Sequence, residues 1–395
     1  MISRLLGTAL LPCLLTLPAL AGGLDRTGQR IDVLFEDGGK SGGHLRLDFA
    51  RAWPEVTGEG AGIAPFVAPG YQYGNTAAMI SAPSAALKLE VDDSLSGALI
   101  AEEPYGSDLL YPGDGMTSEL GNTRAWAETS SLTALLRYRL NETWSVHGGV
   151  RLQQIEGDIR LSGWAYGAPR EFGLPTANGY EVSLGQDSAL GYVLGASYEI
   201  PEIALRASLT YNSTITHEMD TVETGNPNPA LDGRSTTEVK TPQSLNLDLQ
   251  TGIAPDTLLY GSVRWVKWSE FRIDPAGFSK PLEQGGGGVG LVELDDTVTY
   301  TVGLARQFND VWAGSADLFY EPREDGVVAP LFPSVGFWGA GVGVQRRFGD
   351  LSLALSAQYT ELGDGIVETL PVGTTRADFD DGEVWAFGLR VGYDF

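Results

Sequence analysis

The chain has 395 residues, of which 51 are acidic and 26 are basic, so its formal net charge at pH 7 is −25. This excess of acidic residues excludes a general nucleic-acid partner, which would need a basic surface. With 52 glycines, 15 tyrosines and 9 tryptophans, the composition favours β-structure with long loops over a helical enzyme.

The amino terminus has the pattern of a secretory signal. Arg4 supplies a positive region, residues 5–17 an apolar one, and Ala19-Leu20-Ala21 a small-residue cleavage site. We therefore predict a signal peptide over residues 1–21, the alternative being a retained membrane anchor. The single cysteine, Cys13, lies within it, which excludes disulfides and cysteine catalysis in the mature chain.

Residues 22–43 follow as a glycine-rich and mostly polar stretch. We expect either a short hatch or plug-like segment folded into the protein, or a loose tail on the periplasmic side. Beyond it, no apolar run approaches the ~18 residues that a spanning helix needs.

Residues 44–395 instead alternate with a period of two, which is typical of β-strands. In residues 384–395 one face is wholly apolar and the other carries small or charged residues. Fourteen segments share this pattern, at 44–54, 83–91, 94–103, 128–140, 143–159, 188–199, 203–216, 239–251, 256–272, 295–308, 311–320, 335–348, 351–361 and 384–395.

The connections alternate between short and long. Those after even-numbered segments are tight turns of Asn, Asp, Gly and Pro. Those after odd-numbered segments are long, at 55–82, 104–127, 160–187, 217–238, 273–294, 321–334 and 362–382. Short periplasmic turns and long outer loops are typical of outer-membrane barrels, and both termini then lie on the periplasmic side.

Aromatic residues fall into two groups along the segments. One group lies beside the short turns: Tyr138, Trp144, Tyr198, Phe308, Trp312, Phe348 and Tyr393. The other lies beside the long loops: Trp53, Trp265, Tyr320, Trp338, Tyr359 and Trp385. Two aromatic belts are expected at the two interfaces of a membrane, whereas a soluble all-β protein, the alternative, has no reason to form them.

The sequence therefore predicts an all-β protein, a 14-stranded antiparallel transmembrane β-barrel of the outer membrane, over residues 44–395. The carboxyl-terminal strand ends in Phe395. Such an ending resembles the assembly signal of bacterial outer-membrane barrels, which implies the barrel assembly machinery of a Gram-negative cell as a partner.

Three stretches carry a resemblance to a known family: Glu103-Pro104-Tyr105-Gly106, which is similar to the family's Ala-Pro-Tyr-Gly; Thr241-Pro242-Gln243-Ser244; and residues 260–271. With the count of fourteen, the chain resembles the FadL family of outer-membrane long-chain fatty acid transporters, which includes channels for aromatic hydrocarbons. It departs from the family at residues 22–43, which are short and lack the Asn-Pro-Ala of the family's hatch. Asn228-Pro229-Ala230 lies in an outer loop and is not equivalent.

The resemblance implies a luminal site for an amphiphilic cargo. The inward-facing candidates are Arg151, Arg206, Tyr260, Arg264 and Trp268. A guanidinium can pair with a carboxylate in two parallel hydrogen bonds while the apolar tail packs on apolar walls. The alternative is that the arginines neutralise luminal acids such as Asp248 and Asp317.

Two further sites are implied. Loops 160–187 and 217–238 correspond to the family's outer capture groove, and the first holds Trp164, Tyr166, Phe172, Leu174 and Tyr180. The alternative is a loop that packs its own aromatics. In the family, an inward kink of the third strand opens the wall laterally. Here the equivalent residues are Glu102, Glu103, Pro104 and Tyr105, although Pro104 could simply end the strand.

We therefore expect passive uptake of long-chain fatty acids or similar hydrophobic compounds by a monomer that contacts outer-membrane lipid and lipopolysaccharide and needs no cofactor or metal. A general diffusion porin is an alternative. An outer-membrane hydrolase is another, but none of His44, His147 and His217 has an evident serine or acidic partner in the sequence. Adhesion or phage reception through the loops is compatible with any of these.

Overall fold

The computed structural model describes residues 25–279, 291–292, 294–322, 326–369 and 373–395. The predicted signal peptide, residues 1–21, lies outside the described residues. Within them, no helix is long and apolar enough to cross a membrane.

Fourteen strands form one closed antiparallel wall, which confirms the predicted fold class. Three of them are interrupted and have two parts. The strands are β1 Gly43–Gly60, β2 Ile80–Glu90, β3 Leu95–Glu102 and Gly106–Leu110, β4 Arg124–Arg139, β5 Trp144–Leu161, β6 Tyr180–Ile200, β7 Leu205–Asn212 and Ile215–Thr224, β8 Gly233–Thr241 and Ser244–Ala254, β9 Thr257–Val266, β10 Thr297–Gln307, β11 Trp312–Glu321, β12 Phe337–Phe348, β13 Leu351–Leu362 and β14 Thr374–Asp394.

The wall closes because β1 pairs with both β14 and β2. His44 lies opposite Asp394 on one side and opposite Lys88 on the other. Closure leaves no strand edge with unsatisfied backbone groups, which a lipid environment requires. Short strands at Gln72–Tyr73, Val327–Val328 and Gly365–Thr369 lie in the long outer connections.

The two faces of the wall differ as predicted. Outward side chains such as Trp385 and Phe387 are exposed, whereas the inward Ala386 between them is buried. Both predicted belts lie on the outer surface, where Trp144 packs edge-on against Tyr198 near the short turns, and Trp53 lies opposite Trp385 near the long loops.

The outer ends of several strands are longer than predicted. β6 begins at Tyr180, and the predicted loop 217–238 is mostly strand, because β7 continues to Thr224 and β8 begins at Gly233. In this region the outward residues are charged, as in Glu218 and Asp220, while the inward ones between them are buried. The outward face meets water here instead of lipid, so the apolar and polar faces exchange and the membrane pattern ends before the strand does.

The outer connections fold over the mouth of the barrel. Glu119, which is fully buried, accepts hydrogen bonds from the Gly62 amide at 2.6 Å and the Tyr73 hydroxyl at 2.8 Å. Burial and the neighbouring Glu119 carboxylate raise the pKa of the Tyr73 phenol well above its usual range, so it stays protonated and donates this bond. Separate loops are thereby joined into one cap.

The segment before β1 lies against inward-facing side chains. Its short 3₁₀-helix, Asp32–Phe35, packs Val33 and Leu34 in one apolar cluster with Leu135 and Val193. The Asp32 carboxylate accepts a 2.8 Å hydrogen bond from the Arg46 guanidinium. The polar, periplasmic half of the lumen is therefore occupied by the chain itself.

Leu355→Arg tests which surface faces lipid. Leu355 is 57% exposed on β13 and Leu174 is 60% exposed in an outer loop. An arginine on the lipid face near mid-bilayer costs about 2–4 kcal/mol. We expect Leu355→Arg to lower the free energy of unfolding in lipid vesicles by this amount, while the matched Leu174→Arg has little effect. Equal effects would contradict the assigned lipid face.

Candidate functional site

An apolar cavity lies in the outer half of the lumen. Its walls come from β3 to β8 and from the connections after β9 and β11, and include Ile155, Leu184, Met219, Val239 and Phe271. Its free volume is about 30 Å³, which suffices for a water molecule or two and for no larger guest. The side chains that line it must move before a hydrophobic cargo can enter.

A second, smaller cavity of about 10 Å³ joins the three stretches that carry the family resemblance. It is lined by Tyr105, Thr241, Pro242 and Trp268, and shares Ile155 and Phe271 with the larger cavity. Trp268 is 2% exposed and packs edge-on against Tyr105 with ring centroids 5.4 Å apart. The predicted luminal residue Trp268 therefore borders the apolar site.

A buried polar layer lies on the periplasmic side of the larger apolar cavity. On β7, His217 is the inward-facing residue before Met219, and its Nδ1 lies 3.0 Å from the Asp187 carboxylate. On its other side the ring lies 3.3 Å from Gln153 Oε1, which also accepts a 2.6 Å hydrogen bond from the Thr241 hydroxyl. This layer was not predicted, because its members come from four strands.

The expectation that the histidines lack acidic partners is wrong. His217 pairs with Asp187, and His44 Nδ1 lies 2.6 Å from Asp394 Oδ1. His147 Nε2 lies 3.0 Å from the Thr210 hydroxyl. Both acids are far from their histidines in sequence, so only the folded wall brings them together.

Two of the predicted luminal arginines have carboxylate partners, of which one is buried and the other partly exposed. Arg151 donates to Thr133 and Asn212, and its Nη2 lies 3.7 Å from Glu102. Arg264 contacts Asp25 of the amino-terminal segment at 2.6 Å. Charge neutralisation is thus observed, but the acids are Glu102 and Asp25 rather than the suggested Asp248 and Asp317.

The remaining two predicted luminal residues lie elsewhere. Arg206 donates to Gln250 at 2.9 Å and its guanidinium lies 4.4 Å from the centre of the Phe35 ring. The Tyr260 hydroxyl donates to Asp317 at 2.9 Å. Both line a separate cavity of about 20 Å³. The five residues therefore do not form a single site.

The predicted outer-groove residues divide into two groups. Trp164 stacks on Phe66 with ring centroids 4.3 Å apart, and Phe172 lies 5.9 Å from Trp164. Phe66 and Phe172 are each about 60% exposed, so these three rings form an apolar patch open to the medium, which we call the outer patch. Leu174, two residues after Phe172, is equally exposed. Phe66 was missed because it lies about a hundred residues from Trp164 in the sequence.

The other two predicted groove residues, Tyr166 and Tyr180, pack towards the interior. Tyr180 is fully buried and its hydroxyl donates to Glu223 at 2.8 Å. Glu223 also accepts hydrogen bonds from the backbone amides of Gly277 and Phe278. The alternative of aromatics that pack within the protein holds for this pair.

The third strand is interrupted at Glu103, Pro104 and Tyr105. Between β2 and β3, Ser84 pairs with Glu102, and the next pair is Ala77 with Leu109; the structure describes this whole stretch and shows no pair in between. The hydrogen-bond ladder between β2 and β3 is therefore interrupted at the predicted lateral gate.

Arg26 of the amino-terminal segment occupies the lumen beside this gap. Its amide donates to the Pro104 carbonyl at 2.8 Å and its guanidinium to the Gly106 carbonyl at 3.2 Å. The guanidinium also lies 3.4 Å from Glu103. Among the described residues, no group of acids and histidines has the arrangement of a metal site.

A closed wall of fourteen strands with a lipid-facing surface and an apolar luminal cavity defines an outer-membrane channel for hydrophobic compounds. The sequence model of one family, described as outer membrane protein transport protein (OMPP1/FadL/TodX), matches residues 55–325, more than half of the chain. The chain belongs to this family and is located in the outer membrane. The family consists of transporters rather than enzymes. No curated protein matches the chain significantly in sequence.

Solved structures show the same fold. A FadL homologue of Pseudomonas aeruginosa has a TM-score of 0.71 at 17% identity, with 92% of each chain covered. The toluene transporter TodX of Pseudomonas putida has a TM-score of 0.58 at 12% identity, with 95% of this chain and 96% of that chain covered. The toluene transporter TbuX of Ralstonia pickettii has a TM-score of 0.58 at 12% identity, covering 92% and 93%.

Arg264→Met tests how the amino-terminal segment is held. Removing one partner of a buried ion pair leaves an uncompensated charge and costs about 3–5 kcal/mol. We expect faster amide hydrogen exchange across residues 25–36, measured by mass spectrometry. The matched control is Arg160→Met, which breaks the exposed 2.7 Å pair with Glu181 and should cost about 0.2–1 kcal/mol. Unchanged exchange in Arg264→Met would contradict the assigned anchor.

Proposed function

We propose that the protein conducts hydrophobic small molecules, long-chain fatty acids among them, passively across the outer membrane and releases them sideways through the wall. The main observation behind this proposal is that the apolar luminal cavities lie beside the interrupted pairing between β2 and β3, since Tyr105 and Gly106 line the smaller cavity. A cargo in the cavity would be separated from lipid only by this irregular part of the wall.

The outer patch supports the first step, capture. Phe66, Trp164 and Phe172 expose adjoining apolar surface to the medium, and exposed apolar patches of this kind are typical of binding sites. A weak, non-directional hydrophobic site of this kind raises the local concentration of cargo at the mouth.

The apolar cavity supports the second step, binding. Burial of apolar surface stabilises the bound state by about 25 cal/mol per Å². A cargo that fits the cavity therefore gains affinity from contact with the walls alone. The nearby polar layer of Gln153, His217 and Thr241 would meet whichever polar group the cargo carries.

The amino-terminal segment supports a lateral rather than an axial exit. Asp25, Arg26 and the 3₁₀-helix fill the lumen between the cavity and the periplasmic turns. An axial path would require breaking the ion pairs with Arg46 and Arg264. A path through the interrupted pairing between β2 and β3 breaks no pair of these strands, but it passes Arg26, which contacts Pro104 and Gly106.

The ion pairs in the lumen favour recognition of a cargo by its shape over recognition of a cargo carboxylate by an arginine. Arg151 and Arg264 already pair with protein acids, so a fatty acid carboxylate would have to compete with Glu102 or Asp25. We therefore include neutral hydrophobic compounds in the proposed cargo.

Met219→Trp tests the cavity. Overfilling the space beside Ile155 and Val239 should block it, and we expect uptake of radiolabelled oleate and toluene by cells to fall by about tenfold or more, because a filled apolar cavity cannot admit a guest. The matched control is Val222→Trp, which lies on the opposite, outward face of the same strand and should leave uptake unchanged. Normal uptake by Met219→Trp, or large steady ion currents through the wild-type channel, would favour the porin alternative.

A reversible crosslink tests the lateral exit. Continuing the β2–β3 register places Ala82 opposite Pro104 within the unpaired stretch. Because disulfides need Cα atoms within about 7 Å, Ala82→Cys with Pro104→Cys would hold the gap closed. We expect the oxidised form to lose uptake and a reductant to restore it. The control crosslink, Leu87→Cys with Leu99→Cys, joins residues already paired. Equal uptake by both oxidised forms would exclude the lateral route.

A further inference from the structure

Two arginines face lipid near the periplasmic end of the wall. Arg306 follows the outward Val302 and Leu304 on β10, and Arg346 follows the outward Val342 and Val344 on β12. Both are exposed. Charged residues are costly on a lipid face except near the interfaces, where a guanidinium can reach the headgroups.

Aromatic rings hold one of these arginines in place. The guanidinium of Arg346 lies 5.2 Å from the centre of the Trp312 ring and 4.6 Å from the centre of the Phe348 ring. Cation–π contacts orient a guanidinium without occupying its five N–H donors. The donors of Arg346 therefore stay available at a fixed place on the rim.

The strand register brings the second arginine close. Arg306 lies opposite Gly314 of β11, while Arg346 lies opposite Trp312 two residues earlier on the same strand. The two arginines are thus two strand spacings apart across the wall and two residues apart along it, which puts their Cα atoms about 12 Å apart. The long, flexible side chain of Arg306 can reach across this distance towards a group bound at the Arg346 guanidinium.

The wall is shallow at Ala316, on the bilayer side of the two arginines. Ala316 is an exposed outward residue of β11 and lies between Leu304 of β10 and Val342 of β12. The preceding outward residue, Gly314, is buried against the Phe308 ring. Ala316 is therefore the floor of a short groove between larger apolar side chains, which ends at the next outward residue of β11, an exposed leucine.

Three acids lie near the two arginines. Asp310 and Asp350 are in the turns that follow β10 and β12, and Asp256 is in the turn before β9, where its carbonyl accepts a hydrogen bond from the Gln307 amide. Across the described ranges, none of the three forms an ion pair with Arg306 or Arg346. The two guanidinium groups can therefore be neutralised by an anion from outside the protein.

We propose that this surface binds one anionic phospholipid of the periplasmic leaflet. The phosphate would accept hydrogen bonds from Arg306 and Arg346, as guanidinium and phosphate geometries match. One acyl chain would lie over Ala316, between Leu304 and Val342. The short turns place the arginines at the periplasmic interface, which selects a phospholipid rather than the lipopolysaccharide of the outer leaflet.

Native mass spectrometry of the full chain in detergent would test the site, with dioleoylphosphatidylglycerol and dioleoylphosphatidylcholine as probes. We expect tighter binding of the phosphatidylglycerol to the wild type. In Arg306→Gln with Arg346→Gln, its affinity should fall by about 30-fold, since each interfacial arginine contributes about 1 kcal/mol. Equal binding of both lipids to the wild type, or unchanged binding to the double variant, would overturn the proposal.

Two single variants separate the site from general effects. Arg51→Gln removes another lipid-facing arginine, between Phe49 and Trp53 near the outer belt, and should leave phosphatidylglycerol binding unchanged. Ala316→Trp fills the groove on an exposed face and should weaken binding by about tenfold, with the folded barrel retained by circular dichroism. A loss in Arg51→Gln equal to that of the double variant, or full binding by Ala316→Trp, would also count against the site.

Discussion

The structure depends on one constraint: every backbone N–H and C=O within the membrane needs a partner from the protein, because hydrocarbon supplies none. A closed antiparallel sheet meets this need, and β1 completes it by pairing with β14. Where the ladder lapses beside β3, side chains and the amino-terminal segment replace it. The Tyr105 amide donates to the Thr129 hydroxyl and the Pro104 carbonyl accepts from Arg26.

The lumen that the closed wall surrounds has two parts with different side chains. The periplasmic half holds charged residues whose partners are largely inside the protein, as in Arg390 with Asp48 and Arg46 with Asp32. The outer half holds the apolar cluster that surrounds Met219 and Trp268. A hydrophobic molecule is stabilised by contact with the walls only in the outer half. This difference between the two halves determines where a cargo can bind.

The same few residues connect the amino-terminal segment with the irregular part of the wall. Asp25 pairs with Arg264 of β9, while the adjacent Arg26 contacts the Pro104 and Gly106 carbonyls of β3. A shift of either residue alters the surroundings of the gap, because these contacts lie within one short stretch. The proposed exit and the filling of the lumen are therefore physically linked, without any need for a separate gating domain.

Local periodicity alone determined much of this protein: the strand count, the alternation of short and long connections, the two aromatic belts and the lipid-facing residues, since each follows from the environment on either side of one strand. Only the tertiary structure decided which residues meet. The pairs Arg151 with Glu102, His217 with Asp187, and Phe66 with Trp164 join distant parts of the chain. The curvature and register of the whole wall set these contacts, and no single strand carries that information.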